Sequence, residues 1–338
     1  MAATFSRRRF ITIVAGLAGA GMVPASVLAT SEPATVTWRG TALGASASLT
    51  LHHSDRARAE LLVRQVIAEV ARLERIFSLY RRDSALSELN RLGVLAAPPP
   101  ELVELLEISQ EIWKSTEGAF DPTIQPLWLL LARHFADAAA DPAGPSRGEL
   151  DEALDLVGLD RVNWNRNRIV FGRHGMALTF NGIAQGYITD RVVDLLRAAG
   201  VAKTLVDMGE IRTLGTRPDN TPWRVGVEGA PDAPTLLELD VEDQAIATSR
   251  PDGFRFDQGG RFNHILDPRN GISARLYDAV TVLAPEAVLA DAFSTAFSLH
   301  EPEAVQKIAA VYPGIQVRLL GYSDTQPLIV IASPLSKE

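Results

Sequence analysis

None of the 338 residues is cysteine. Disulfides, thiolate zinc sites, iron–sulfur clusters and cysteine nucleophiles are thereby excluded, and so is a lipid-modified N-terminal cysteine. Such a chain is indifferent to an oxidising compartment. Basic charge is in short supply too: 33 Lys and Arg stand against 41 Asp and Glu, a formal charge of −8. A dedicated nucleic-acid binder has the opposite balance, so nucleic acid is not an expected partner. Beyond the N-terminal region no run is long and apolar enough to cross a bilayer, which takes about 20 residues. Internal repeats and charge blocks are also missing. What remains, 46% hydrophobic and 22% charged, is ordinary for a soluble globular protein. The length fits one large domain or two modest ones.

The N-terminus reads as an address. Ser6-Arg7-Arg8-Arg9-Phe10-Ile11 leads into an apolar run from Ile11 to about Val23, broken by Gly16, Gly19, Gly21 and Pro24. Small residues follow, with Val27-Leu28-Ala29 or Val23-Pro24-Ala25 as cleavage sites. A membrane anchor is the competing reading, but the run is shorter than a span. Paired arginines beside Phe10 match a twin-arginine export signal. We expect a signal over 1–29 and a soluble periplasmic domain over 30–338, with no membrane span after cleavage.

Alternation predicts strands over 34–52 with a turn at Gly44. Leu61, Leu62, Val66, Ile67, Val70, Leu73 and Phe77 recur at helical spacing and predict a helix over 55–77. Further helices are expected over 101–115, from Asp190 to a stop at Gly200, near Pro285 and after Pro302. Strands are expected over 167–171, 203–206, 223–227 and 278–284, and loops at 96–100 and 136–147. Strands and helices interleave irregularly, so the fold class is α+β and not a doubly wound sheet. Gly226-Val227-Glu228-Gly229 lacks the spacing and following helix of a dinucleotide fingerprint.

Five clusters can carry chemistry. Glu117-Gly118-Ala119-Phe120-Asp121-Pro122-Thr123 joins a glycine to a helix start, where Asp121 serves equally as a cap. Thr179-Phe180-Asn181-Gly182-Ile183-Ala184-Gln185-Gly186-Tyr187 reads as a turn facing a ligand, or simply as a strand–turn–helix joint. Asp207-Met208-Gly209-Glu210 reads as a strand end and turn. Asn263-His264-Ile265-Leu266-Asp267-Pro268 puts a histidine before an Asp-Pro turn, in a loop where functional residues gather. Asp291 and Thr295 are four apart and share a helix face, where a carboxylate and a hydroxyl suit Mg²⁺. Many surface helices carry such a pair.

Taken in order, these clusters resemble the ApbE family, the FAD:protein FMN transferases. The matching phrases are Phe77-Ser78-Leu79-Tyr80 with Asp83-Ser84 and Leu89-Asn90; Gly118 to Thr123; Gly182 to Tyr187 with Asp190; Met208-Gly209-Glu210; His264 to Pro268 with Gly271; and Ala290-Asp291 with Thr295. The export signal and the phrase from Thr179 to Tyr187 look like the NosX branch, which flavinylates the membrane protein NosR in nitrous-oxide respiration.

The resemblance implies a single ApbE-type, T-fold-like domain with mixed or antiparallel sheets flanked by helices. It implies transfer of FMN from FAD to a threonine or serine of a membrane-associated, NosR-like acceptor, with release of AMP. Asp291, Thr295 and the Gly182 carbonyl would hold Mg²⁺. Leu43, Tyr80, Ala119, Phe120, Asp121, Thr179, Gln185 and Ile265 would contact FAD, and His264 would be catalytic. The chain departs from the family where Leu43-Gly44-Ala45 replaces Met-Gly-Thr, Thr179 replaces Asp, Gln185 replaces Lys, and Asn270 replaces Thr. Two alternatives use the same residues: an FAD pyrophosphatase giving FMN and AMP, and a non-catalytic periplasmic flavin-binding protein.

Overall fold

The computed structural model describes residues 11–13, 34–228, 235–321 and 328–332. Most of the expected targeting segment, with both cleavage sites, lies outside the described residues. Its described part, β1 (Ile11–Ile13), pairs antiparallel with residues 225–227.

The chain then forms β2 (Ala34–Ala42), β3 (Ala45–His53), α1 (Arg56–Phe77), α2 (Ala85–Leu92), β4 (Val94–Ala96), α3 (Pro100–Ser115), α4 (Gln125–His134) and α5 (Arg147–Leu154). The middle contributes β5 (Val162–Asn165), β6 (Arg168–Phe171), α6 (Ala184–Ala198), β7 (Thr204–Asp207), β8 (Ile211–Leu214), β9 (Trp223–Val227) and β10 (Leu237–Val241). Last come β11 (Ala245–Ser249), β12 (Ala279–Ala284), α7 (Ala287–Phe297), α8 (Pro302–Ala309), β13 (Gln316–Leu320) and β14 (Ile329–Ala332). An eight-stranded sheet has the order β14-β13-β12-β11-β8-β7-β3-β2. Its neighbours are antiparallel throughout. Smaller sheets are β1-β9-β10 and β4-β6-β5. The expected α+β domain, antiparallel sheets flanked by helices, is what forms.

Local chemistry explains the first elements. Leu43 and Gly44 both have positive φ, 48° and 82°, as a two-residue hairpin turn matched to sheet twist requires. A leucine held there stores roughly 1–3 kcal/mol of strain; its N–H is fixed by Glu74 Oε1 at 2.8 Å. Asp55 caps α1 by accepting from the Arg58 amide. Leu62, Val66 and Leu73 of α1 are buried together, and each such burial contributes about 1.5–3 kcal/mol.

The main core lies between the large sheet and α1, α6 and α7. Leu49, Leu51, Val206 and Val282 meet Leu62, Val192, Leu196, Phe293 and Phe297 there. Strand alternation sends Leu205, Ile211, Ile246 and Leu283 to the opposite face, against Trp223, Val225 and Val241. A third cluster joins Leu127 and Leu131 of α4 to Ala153, Val157 and Leu266, beneath the loop that carries His264.

One helix differs from its expected span. α6 begins at Ala184, not at Asp190. Residues 184–189 are its first turns, and the N-cap Ile183 makes no side-chain cap bond.

Candidate active site

The sheet ends, α4, α6 and α7 surround one cleft. Three loops form its first wall. Glu117 and Gly118 have φ of 51° and 80°, which turns Ala119, Phe120 and Asp121 into the cleft. Asp121 caps the short turn Pro122–Ile124: Oδ1 accepts from the Thr123 amide at 2.8 Å and its hydroxyl at 2.6 Å, and Oδ2 accepts from the Leu159 amide at 3.0 Å. Burial pushes this carboxyl above the usual range, and the bonds from Thr123, Leu159 and Trp113 pull against it. The Thr179 amide donates to the Pro122 carbonyl at 2.7 Å and ties the second loop to the first. Tyr80, 57% exposed, stands at the rim.

The opposite wall is built from α6, α7 and β11. Gln185 is buried in the first turn of α6. Its side chain lies against Gly209, where a Cβ would stand 2.0 Å from Nε2; with φ of +110° as well, only glycine fits. Asp291 Oδ2 accepts from the Gly186 amide at 3.0 Å. Thr295 lies one turn further along α7. A Cβ on Gly182 would be 3.0 Å from Thr295 Oγ1, so the Gly182 backbone adjoins that hydroxyl. Ser249 at the end of β11 approaches Thr295 Oγ1 to 3.4 Å and bonds Ser294 at 2.7 Å. His264 faces the same cleft; its amide and its Nδ1 both meet the Phe254 carbonyl, at 3.1 and 3.2 Å. The following turn is rigid, because Asp267 accepts from the Arg269 guanidinium through both oxygens, at 2.8 Å each.

Tyr80, Ala119, Phe120, Asp121, Thr179, Gly182, Gln185, His264, Ile265, Asp291 and Thr295 thus line one cleft. Leu43 stands apart. Its side chain is buried in the main core, and its neighbours Ala45 and Ser46 line the cleft instead. Sequence reasoning passed over Ser249 and Arg250, which close a strand just before Pro251, a position that signals a strand end. It also passed over Trp128 and Phe254, stacked rings with centroids 5.9 Å apart. Arg250 is fixed by Asp252 through two bonds of 2.9 Å and by the Glu228 carbonyl.

Charge is lopsided. The described lining residues include four carboxylates, Asp121, Asp207, Glu210 and Asp291, and one guanidinium, Arg250. No group of three His, Asp or Glu gathers as a metal cage among the described residues. One carboxylate, hydroxyls and a backbone oxygen fit a hard cation that keeps waters and takes phosphate oxygens, as Mg²⁺ does.

A model of the ApbE family matches residues 43–319. The chain belongs to the ApbE family. An FAD:protein FMN transferase of Vibrio cholerae is 31% identical over 241 residues, covering 69% of this chain and 71% of that protein. One from Salmonella typhimurium is 25% identical over 326 residues, covering 91% and 90%. The apo crystal structure of Pseudomonas stutzeri flavinyl transferase ApbE aligns with a TM-score of 0.75 at 26% identity, covering 90% of this chain and 96% of that one. In this ApbE chain, phrases scattered from Tyr80 to Thr295 meet at the cleft. No helix among the described residues is long and apolar enough to cross a membrane.

Proposed function

We propose that this ApbE chain is a Mg²⁺-dependent FAD:protein FMN transferase that joins FMN through a phosphoester to a threonine or serine of an acceptor protein and releases AMP. The names of its relatives support the substrate and the reaction class. The observation that carries the cation is the acidic cleft. A pyrophosphate brings further negative charge to four carboxylates and one guanidinium already bonded to Asp252. A bound cation offsets that repulsion.

Asp291, Thr295 and the Gly182 carbonyl would hold Mg²⁺, which when bound neutralises pyrophosphate oxygens. Tyr80, Phe120 and Ile265 supply apolar surface for the flavin. The acceptor hydroxyl attacks the FMN-side phosphorus, a new O–P bond forms, and the bond to the AMP oxygen breaks. With Nδ1–H donating to Phe254 O, the basic lone pair of His264 is on Nε2, placed to take the hydroxyl proton. Arg8-Arg9-Phe10 supports export to the periplasm by the twin-arginine route. The phrase from Thr179 to Tyr187 supports the NosX branch, with a membrane-associated, NosR-like acceptor.

AMP release separates this reaction from its alternatives. The mature protein, FAD and Mg²⁺ are incubated with and without an acceptor domain. AMP that appears only with the acceptor is expected. AMP without it means hydrolysis, and intact FAD in both means a flavin-binding protein.

A further inference from the structure

Two helix N-termini in the core lack caps of their own. Ile183 is the N-cap of α6 and Glu286 that of α7, and neither side chain bonds its helix. Buried amides without partners are costly, so acceptors must come from elsewhere. Each helix supplies the other. Asp190 of α6 accepts from the Ala287 amide through Oδ1 and from the Val288 amide through Oδ2, both at 2.8 Å. Asp291 of α7 accepts from the Gly186 amide of α6 at 3.0 Å. The register is reciprocal: Gly186 precedes Asp190 by four, and Ala287 precedes Asp291 by four. A Cβ on Gly186 would stand 2.2 Å from the Ala287 carbonyl, so the helices cross in backbone contact there. Asp190 is anchored in turn by Arg212 on β8, with Nη1 at 2.6 Å from Oδ1.

We infer that Asp190 is a positioning residue for the cation site, setting the axial position of α7 and hence the place of Asp291 and Thr295. It is not among the residues that line the cleft. It acts through the first two amides of the helix that carries both. One carboxylate on two consecutive amides fixes both the rotation and the height of a helix end. The ion pair with Arg212 ties that end to the central sheet. Asp291 reads the same crossing from the other side, because one of its oxygens is held on Gly186 and the other is thereby aimed. This inference rests on the proposed placement of Mg²⁺ at Asp291 and Thr295.

The test is calorimetric titration of MgCl₂ into the mature protein preloaded with FAD. Replacement of supporting groups around a metal site typically weakens metal affinity by about 10–100-fold. Asp190→Asn, which keeps the shape but can accept at one amide only, is expected to fall in that range while FAD affinity in EDTA stays within about twofold of wild type. Asp190→Glu keeps the charge and the pairing with Arg212 but shifts the anchor by a methylene; it serves if Asp190→Asn fails to fold, and it too should weaken Mg²⁺. Glu104→Gln removes the charge that pairs with Arg191 and one of the acceptors used by Tyr187 and Arg191 elsewhere on α6, and should bind Mg²⁺ as wild type does. Asp291→Ala should lose the metal. Wild-type Mg²⁺ affinity in both Asp190 variants, with Asp291→Ala inactive in binding, overturns the role of Asp190. Wild-type affinity in Asp291→Ala overturns the cation site itself.

Discussion

Two histidines show how differently one residue type is used. His264 is half-buried, faces the cleft and is held by Phe254. Loss of a general base lowers a rate by about 10²–10⁴-fold, so His264→Ala should lose that much transfer and keep FAD binding. Flavin fluorescence titration and single-turnover transfer measure the two; wild-type turnover removes His264 from the chemistry. His300 is buried, and its Nε2 meets the Thr116 carbonyl at 3.1 Å. Burial lowers its pKa below that of a free histidine, chiefly by desolvating the charged ring. The folded protein then binds this proton less readily than the unfolded chain. Its contribution is therefore full above about pH 6.5 and is lost as pH falls through the lowered folded value. His300→Gln should flatten the fall in thermal stability between about pH 7 and 5, and parallel slopes in the two proteins exclude His300 as its source. The sequence singled out His264 by its Asp-Pro turn and the family phrase around it, but the carbonyls that hold the two rings, Phe254 and Thr116, were not legible because they come from other loops.

Legibility of the helices follows where their end signals come from. α1 announces itself: Asp55 caps it from one residue away and its apolar positions repeat at three and four. α6 hides its start. Its cap is Asp291, 105 residues away from Gly186, and its first turn contains that glycine, which alone costs a helix about 1 kcal/mol and reads as a turn. The glycine is there for the crossing with α7. Gly186→Ala should destabilise the fold by about 1–3 kcal/mol in urea denaturation, despite the better helix propensity of alanine, because the methyl meets the Ala287 carbonyl. Equal or greater stability would contradict the close crossing. β10, β11, α2, α4 and α5 escaped sequence reading because they are short, from five to ten residues, and their burial is decided by partners distant in the chain.

At the scale of the molecule, the absences in the sequence and the character of the cleft agree. A chain without cysteine and with net charge −8 brings neither thiolates nor abundant cations to its site. Its cleft is acidic, and the one guanidinium among its described lining residues is already engaged by Asp252. The order of the six phrases made the family and the cleft residues legible before any fold was known. The side chain of Leu43 escaped because a hairpin turn sends it into the core and gives the cleft to Ala45 and Ser46. Under the proposed function, handling FAD in such a cleft calls for a divalent cation, and using it productively calls for a second protein. The most direct measurement mixes the mature protein with FAD, Mg²⁺ and the soluble flavin-acceptor domain of a NosR-like protein and looks for covalent flavin on a denaturing gel. A fluorescent acceptor band that disappears with EDTA is expected; an unlabelled acceptor beside intact FAD, or labelling that persists in EDTA, would contradict Mg²⁺-dependent FMN transfer.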